Sequence, residues 1–295
     1  MKFRHGVNGT APLSRRPIRT RQTVRVHLES IDDPNDSRLV DYIGLTDPQI
    51  RRRQLDQQFF IAEGIETVKR LIRSEIECRS IVIAPNRLAA MQEVLEGVRC
   101  PVYVAERNVV SEIVGFDLHR GVIASGHRPP AASLDEVLSR PPRLGDRHRL
   151  AVLHGVNDHE NVGAIVRSAR AFHIDALVLD PTCADPYYRR SVRVSMGEIF
   201  FLPVIHAPVT EFLEQLRRLG GTSAAFTPRS NAESVENLRS SSSPLALIFG
   251  SEGFGLPDDV LSASDTCVRI PIASDVDSLN VGHAASVAFA LTAHL

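Results

Sequence analysis

The chain is expected to be an α/β protein built from two units, a small one over residues 37–129 and a larger one over 149–295. Three observations predict this. Apolar runs of strand length alternate with helical stretches that carry one apolar face. Residues 130–148 interrupt the alternation, with Pro129-Pro130 and Pro141-Pro142 at its ends, a composition suited to a semi-stiff linker. Near the C-terminus two buried strand runs, Leu245–Phe249 and Cys267–Ile272, each end in a loop of unusual composition. Two strand ends side by side form the crevice where open α/β sheets bind ligands.

In chain order, residues 1–36 read as a basic arm, largely without structure of its own. Lys2, Arg4, Arg15, Arg16, Arg19, Arg21 and Arg25 fall in its first 28 residues, which contain no acid. A basic arm anchors phosphates even where the whole chain has a net charge of −1. Val24–Leu28 has the pattern of an edge strand. Arg51-Arg52-Arg53, on a helix over Gln49–Leu55, adds a second basic cluster. A strand at Phe59–Ala62 then runs into Glu63-Gly64, and Ile65, Val68, Leu71 and Ile72 line one face of the helix after it. Strands at Ser80–Ala84, Pro101–Val104 and Gly121–Ser125 alternate with helices at Arg87–Glu96 and Asn108–Val114. In the linker, Ser133-Leu134-Asp135-Glu136 has the form of a capping box.

The larger unit opens with a strand at Leu150–Leu153 and a helix at Asn161–Phe172, for which Asn161 is a natural N-cap. Strand Ala176–Leu179, helix Arg190–Gly197, strand Phe201–Ile205, helix Thr210–Leu219, strand Ser223–Phe226 and a weak helix at Glu233–Leu238 follow. The order predicts a mainly parallel sheet with helices on both faces. Arg167 has Ala164, Ile165, Val166 and Ala169 for neighbours, so it is expected to be buried and to need a partner, Glu252 or Asp180 among them. Gly163, one turn earlier, would leave room there for a phosphate or ribose. The last helix, from Val281 to about His294, is apolar on most faces and is expected to be buried.

The glycine loop reads Gly250-Ser251-Glu252-Gly253-Phe254-Gly255. It has neither the G-x-G-x-x-G spacing of a dinucleotide fold nor the Gly-Lys-Ser/Thr of a P-loop. Its ligand is therefore expected to be held by backbone groups of two loops, as a flat polar group such as adenine would be. The missing fingerprint disfavours the competing reading, a nucleotide-dependent oxidoreductase. His119, His127, His154 and His159 show no metal-ligand spacing, and Cys78, Cys100, Cys183 and Cys267 form no C-x-x-C pair. With tryptophan absent and aromatics at 5%, base-stacking platforms are not expected. No apolar run has membrane-spanning length and no signal-peptide core opens the chain, so a cytoplasmic protein is expected.

Gly250-x-Glu252-x-x-Gly255-Leu256, then Ile270-Pro271 and Ser278-Leu279-Asn280-Val281, resemble the C-terminal signature of the SpoU family of RNA 2′-O-ribose methyltransferases. Asn161-x-Gly163-x-x-x-Arg167-x-Ala169 resembles that family's first motif. The resemblance implies a deep trefoil knot in the C-terminal domain and S-adenosylmethionine as cofactor, contacted at Gly250, Ile270 and Leu279 mostly through the backbone. It implies catalytic roles for Arg167, Asn161, Glu252, Ser278 and Asn280, and a homodimer formed through the same domain. Phe60-x-x-Glu63-Gly64 and its surroundings resemble the substrate-binding domain, of a ribosomal-protein-like fold, that precedes many such catalytic domains. That implies structured RNA as substrate, ribosomal RNA ahead of transfer RNA. A catalytically silent RNA-binding relative is the other reading. One departure from the pattern is Gly282-His283, where the family often has a small hydroxyl residue.

Overall fold

In a computed structural model of the chain, the structure describes residues 27–47, 49–238 and 241–293. The basic residues Lys2 to Arg25 and the predicted helix end at His294 lie outside these.

The first unit is a five-stranded mixed sheet in the order β1-β4-β3-β5-β2. Its strands are β1 (Leu28–Ser30), β2 (Phe59–Glu63), β3 (Cys78–Ile83), β4 (Val102–Val104) and β5 (Val122–His127), with helices α1 (Ile50–Asp56), α2 (Ile65–Arg73), α3 (Leu88–Leu95) and α4 (Arg107–Val114) between them. β1 corrects the expected start of this unit at residue 37. It pairs with β4, and the amide of Ile31 donates to the Val104 carbonyl at 2.9 Å. The edge strand expected at Val24–Leu28 meets β1 only at Leu28, and Val24–Val26 lie outside the described residues. In the Arg51–Arg53 cluster Arg51 and Arg52 are exposed, but its side chains also make contacts within the chain. Arg53 donates to the Ile43 carbonyl at 2.9 Å and Arg51 lies over the Tyr188 ring, 4.3 Å from its centroid.

Residues 130–148 do not form a free spacer. α5 (Leu134–Leu138) carries the predicted capping box and buries Leu134 and Val137 against the second sheet. The amide of Ala132 donates to Val204 at 2.8 Å, and that of Arg143 to Asp175 at 2.7 Å.

The second unit is a seven-stranded sheet in the order β10-β12-β9-β11-β6-β7-β8, with every pairing parallel. The strands are β6 (Arg149–Leu153), β7 (Ala176–Leu179), β8 (Val204–His206), β9 (Thr222–Phe226), β10 (Glu233–Ser234), β11 (Leu245–Phe249) and β12 (Thr266–Arg269). The helices are α6 (His159–Ala171), α7 (Arg189–Val194), α8 (Val209–Arg218), α9 (Asp258–Ala263) and α10 (Val281–Leu291). Continuous apolar runs are required here because alternate residues serve opposite faces. Ala151 and Leu153 pack with α6, α7 and α10, while Leu150 and Val152 pack with α5, α8 and α9. Three elements differ from the sequence expectation, the first being the strand expected at Phe201–Ile205, where Phe201 ends a 3-10 turn and β8 begins at Val204. The weak helix at 233–238 is strand β10 plus one 3-10 turn with only Val235 buried, and the six-residue α9 was too short to register as periodic.

The two units share one hydrophobic core. Phe60 of β2 lies between Tyr187 and Phe200, with ring centroids at 5.5 and 5.2 Å. Ion pairs flank it: Arg70–Glu198 at 2.9 Å, Arg189–Glu63 at 3.2 Å, and Arg128–Asp185. None of the helices described is long and apolar enough to cross a membrane.

Candidate active site

The loop after β11 folds back on itself. The Gly255 amide donates to the Ser251 carbonyl at 3.0 Å, and Gly253 and Gly255 take φ of 90° and 68°. Gly250 is fixed by crowding: a Cβ there would sit 2.3 Å from the carbonyl carbon of Gly255. Only glycine permits this closed turn. The loop after β12 runs beside it, and the two enclose a cavity of about 500 Å³. Gly250, Ile270, Ser278, Leu279 and Asn280 line it, as does Glu252. Phe226 and Phe249, stacked at 4.9 Å, form an apolar floor. A larger cavity of about 800 Å³ opens in the first unit, between Cys78, Cys100, Arg79, Arg99 and His127. It lies at the starts of β3 and β4 rather than at the C-terminal ends of parallel strands, where such sheets bind ligands.

Beside the smaller cavity, three side chains from three elements meet. Asn161 Nδ2 donates to Glu252 Oε1 at 2.9 Å, and Asn280 Nδ2 donates to the same oxygen at 2.6 Å and to Asn161 Oδ1 at 3.0 Å. The amide orientations follow from this network. Asn280 is the N-cap of α10, its Oδ1 accepting from the amides of Gly282 and His283 at 2.9 and 3.3 Å, so its Nδ2 must face Glu252. Among the described residues the second oxygen of Glu252, Oε2, has no hydrogen-bond donor.

Asn161 is not a helix cap. Asp158 caps α6, accepting from the amides of Glu160 and Asn161 at 2.6 and 3.0 Å. The Asn161 side chain is thereby free for Glu252. Gly163 serves packing rather than a ligand: a Cβ there would lie 2.7 Å from Val194 and 2.8 Å from the Ser191 carbonyl.

Arg167 departs from expectation. It is exposed, on a stripe with Glu160 and Ala171, because residues next to each other in a helix sequence do not share a face. Neither Glu252 nor Asp180 pairs with it, and among the described residues it has no hydrogen-bonding or ionic partner. It stands ~9 Å along α6 from Asn161 and roughly a third of a turn around it. The structure thus brings together seven of the predicted residues at one cavity (Gly250, Glu252, Ile270, Ser278, Leu279, Asn280 and, by hydrogen bonds, Asn161) and leaves Arg167 outside.

Sequence reasoning missed three features. Arg269, on the cavity lining, has no ionic partner among the described residues. Phe254 stands 99% exposed at the tip of the glycine loop. His159, at the first turn of α6, lies against the Tyr188 ring at 4.4 Å and hydrogen-bonds Arg51, joining the site helix to the first unit. Burial first, and then the Arg51 charge, hold its pKa below the ordinary histidine value. α10 is not wholly buried either: Val287 and Leu291 are 36% and 45% exposed.

A sequence model of the SpoU rRNA methylase family matches residues 148–290. An uncharacterised tRNA/rRNA methyltransferase of Mycobacterium bovis is 39% identical over 268 residues, covering 89% of this chain and 90% of that one. The chain belongs to the SpoU rRNA methylase family. A 23S rRNA (guanosine(2553)-2′-O)-methyltransferase of Bacillus subtilis is 24% identical over 228 residues, 77% of this chain and 86% of that one. The fold is that of solved relatives. An S-adenosylmethionine-bound rRNA methyltransferase from Sinorhizobium meliloti superposes with a TM-score of 0.75 at 22% identity, covering 90% of this chain and 97% of that one. A structure described as an RNA 2′-O ribose methyltransferase gives 0.70 at 25% identity, covering 89% and 97%. Family membership removes the oxidoreductase reading and leaves an RNA methylase.

Proposed function

We propose that this chain transfers a methyl group from S-adenosylmethionine to a ribose 2′-hydroxyl in structured RNA, with ribosomal RNA ahead of transfer RNA as substrate. The observation that carries it is the hydrogen-bonded cluster of Asn161, Glu252 and Asn280 beside a cavity formed by two backbone loops. The cavity suits the cofactor in size, since sites of ~300–1,000 Å³ take ligands of this class. Gly250, Ile270 and Leu279 would hold the adenine end through backbone groups. Arg269 offers a cation for the carboxylate of the methionine end. When bound, the cofactor supplies an activated methyl group, which leaves positioning and the hydroxyl proton to the protein.

The cluster would orient the ribose. Glu252, fixed by two amides, presents its free oxygen to a sugar hydroxyl, and Ser278 shapes the pocket opposite. Arginine stays protonated, so Arg167 is no general base. Exposed and unpaired, it would clamp a substrate phosphate and lower the pKa of the neighbouring hydroxyl. The finer structural readings belong to the same proposal: a deep trefoil knot in the second unit, a ribosomal-protein-like substrate domain in the first, and a homodimer that covers Val287 and Leu291 of α10.

Incubating the protein with tritiated S-adenosylmethionine and total RNA from a strain lacking the gene, then mapping ribose methylation, tests the function. Label at a 2′-O position of ribosomal RNA is expected. Label on a base, or none with intact cofactor binding, would reject it, the second result pointing to a silent RNA-binding relative.

A further inference from the structure

One aromatic ring near the cavity belongs neither to its lining nor to the polar cluster beside it. Phe254 is 99% exposed, far beyond any other aromatic side chain among the described residues, and it is not part of the cavity lining. Leaving a whole phenyl ring in water forgoes the stabilisation that burial of so large an apolar group provides. The ring is not displayed by a loose segment. The base of its loop is closed by the Ser251–Gly255 bridge and by the contact of Gly250 against Gly255. Gly253 and Gly255, both at positive φ, turn the chain on either side of the ring, and nothing lies within 4 Å of where a Cβ would stand at either. The tip therefore projects clear of the rest of the chain on a pinned base.

Position gives the ring its use. Glu252, the centre of the polar cluster, is two residues away, a span of at most ~7 Å. A ribose held at Glu252 would place its attached base within reach of a ring at the tip of the same loop. Within the proposed function, on which this inference rests, we propose that Phe254 is the stacking platform for the base of the nucleotide that is methylated. Stacking accepts any base because every base has a π-face, so this contact would fix the plane of the target nucleotide without selecting its identity. A single ring beside exposed polar groups (Glu252, Asn280, Ser278) suits a nucleobase better than an apolar protein surface.

Kinetics of tritium transfer to total RNA from a strain lacking the gene, with Phe254→Ala, Phe254→Leu and Phe254→Trp, test the proposal. The alanine and leucine variants are expected to raise KM for RNA roughly tenfold or more, and tryptophan to restore it. Affinity for S-adenosylmethionine by titration calorimetry and the sedimentation coefficient should not change. Leucine performing as well as phenylalanine would overturn it, because only burial and not ring stacking would then matter. So would a loss of cofactor affinity, which makes the ring part of the cofactor site, or a change in sedimentation, which makes it a protein contact. Filter binding of ribosomal RNA needs no turnover and separates the two readings. Wild type that binds RNA without methylating it removes the enzymatic function, while the loss of binding in Phe254→Ala stands or falls on its own.

Discussion

The junction between the two sheets and the mouth of the cavity use charge in opposite ways. At the junction Arg70, Arg128 and Arg189 each end on a carboxylate, and Arg51 lies on a tyrosine ring. At the cavity, Glu252 is held by two neutral amides, and among the described residues neither it nor Arg269 has an ionic partner; nor does Arg167, farther along α6 and outside the cavity. A half-buried ion pair that satisfies itself serves the fold. A charged group left open contributes little to the fold. The difference marks the junction arginines as structural; an open guanidinium alone assigns no role, and only substitution tells whether Arg167 and Arg269 have one.

The sharpest way to break this distinction is Arg167→Ala. Removing an exposed, unpaired side chain should shift stability by no more than ~0.5 kcal/mol. Methyl transfer should fall ~10²-fold or more if the guanidinium binds charge that develops in the reaction. Cofactor affinity should stay near wild type. Full turnover in this variant would make Arg167 an ordinary solvated residue.

Arg189→Ala is the matching change at the junction. It leaves Glu63 buried without its cation, which costs ~3–5 kcal/mol, and thermal unfolding should shift down accordingly. Adding Glu63→Gln should recover part of that loss. An unchanged Tm in Arg189→Ala would show that the junction does not depend on its ion pairs.

A smaller pair of effects comes from the first turn of α6. Asp158→Ala removes the helix cap and should cost ~1 kcal/mol of stability. Asn161→Ala, three residues on, should leave stability almost unchanged while lowering kcat, because among the described residues its side chain bonds only Glu252 and Asn280. Denaturant midpoints and initial rates on both variants distinguish cap from cluster. Equal losses of stability would return Asn161 to a structural role.

What the sequence disclosed follows the same division. Leu245–Phe249 was legible to the residue because five consecutive apolar positions between Pro244 and Gly250 leave little else for them to be. The convergence of Asn161, Glu252 and Asn280 was legible only through the motif resemblance, since 119 residues separate the outer two and no local pattern links them. The burial of Arg167 was misjudged because its apolar neighbours in sequence lie on other faces of α6. Asn161 was taken for a cap because Asp158, equally suited, stands one turn earlier. The edge-strand pattern at Val24–Leu28 reached β1 only at Leu28, α9 is too short for periodicity, and the docking of Arg51 on Tyr188 depends on how two sheets meet, which no stretch of sequence encodes.

His159 is where the two regions touch, and it yields the smallest expected effect. It faces Arg51 from α1, Ser191 of α7 at 3.3 Å, and the carboxylates of Asp158 and Asp185. Burial, reinforced by Arg51, favours the neutral ring, so its folded pKa lies below the unfolded value of 6.5. Below that pH the unfolded chain binds more protons than the folded one, and stability falls with pH. The contribution is therefore fully present above pH ~6.5 and is lost as acidification proceeds through the folded pKa. His206, also held low by burial, acts in the same direction, so His159→Asn should flatten the decline in Tm between pH 7.5 and 5.5 without abolishing it. A slope identical to wild type would mean that the ring is not held neutral by the junction. In that case the contact between α1 and the helix carrying Asn161 would have no pH-dependent part, and the site would be electrostatically independent of the first unit.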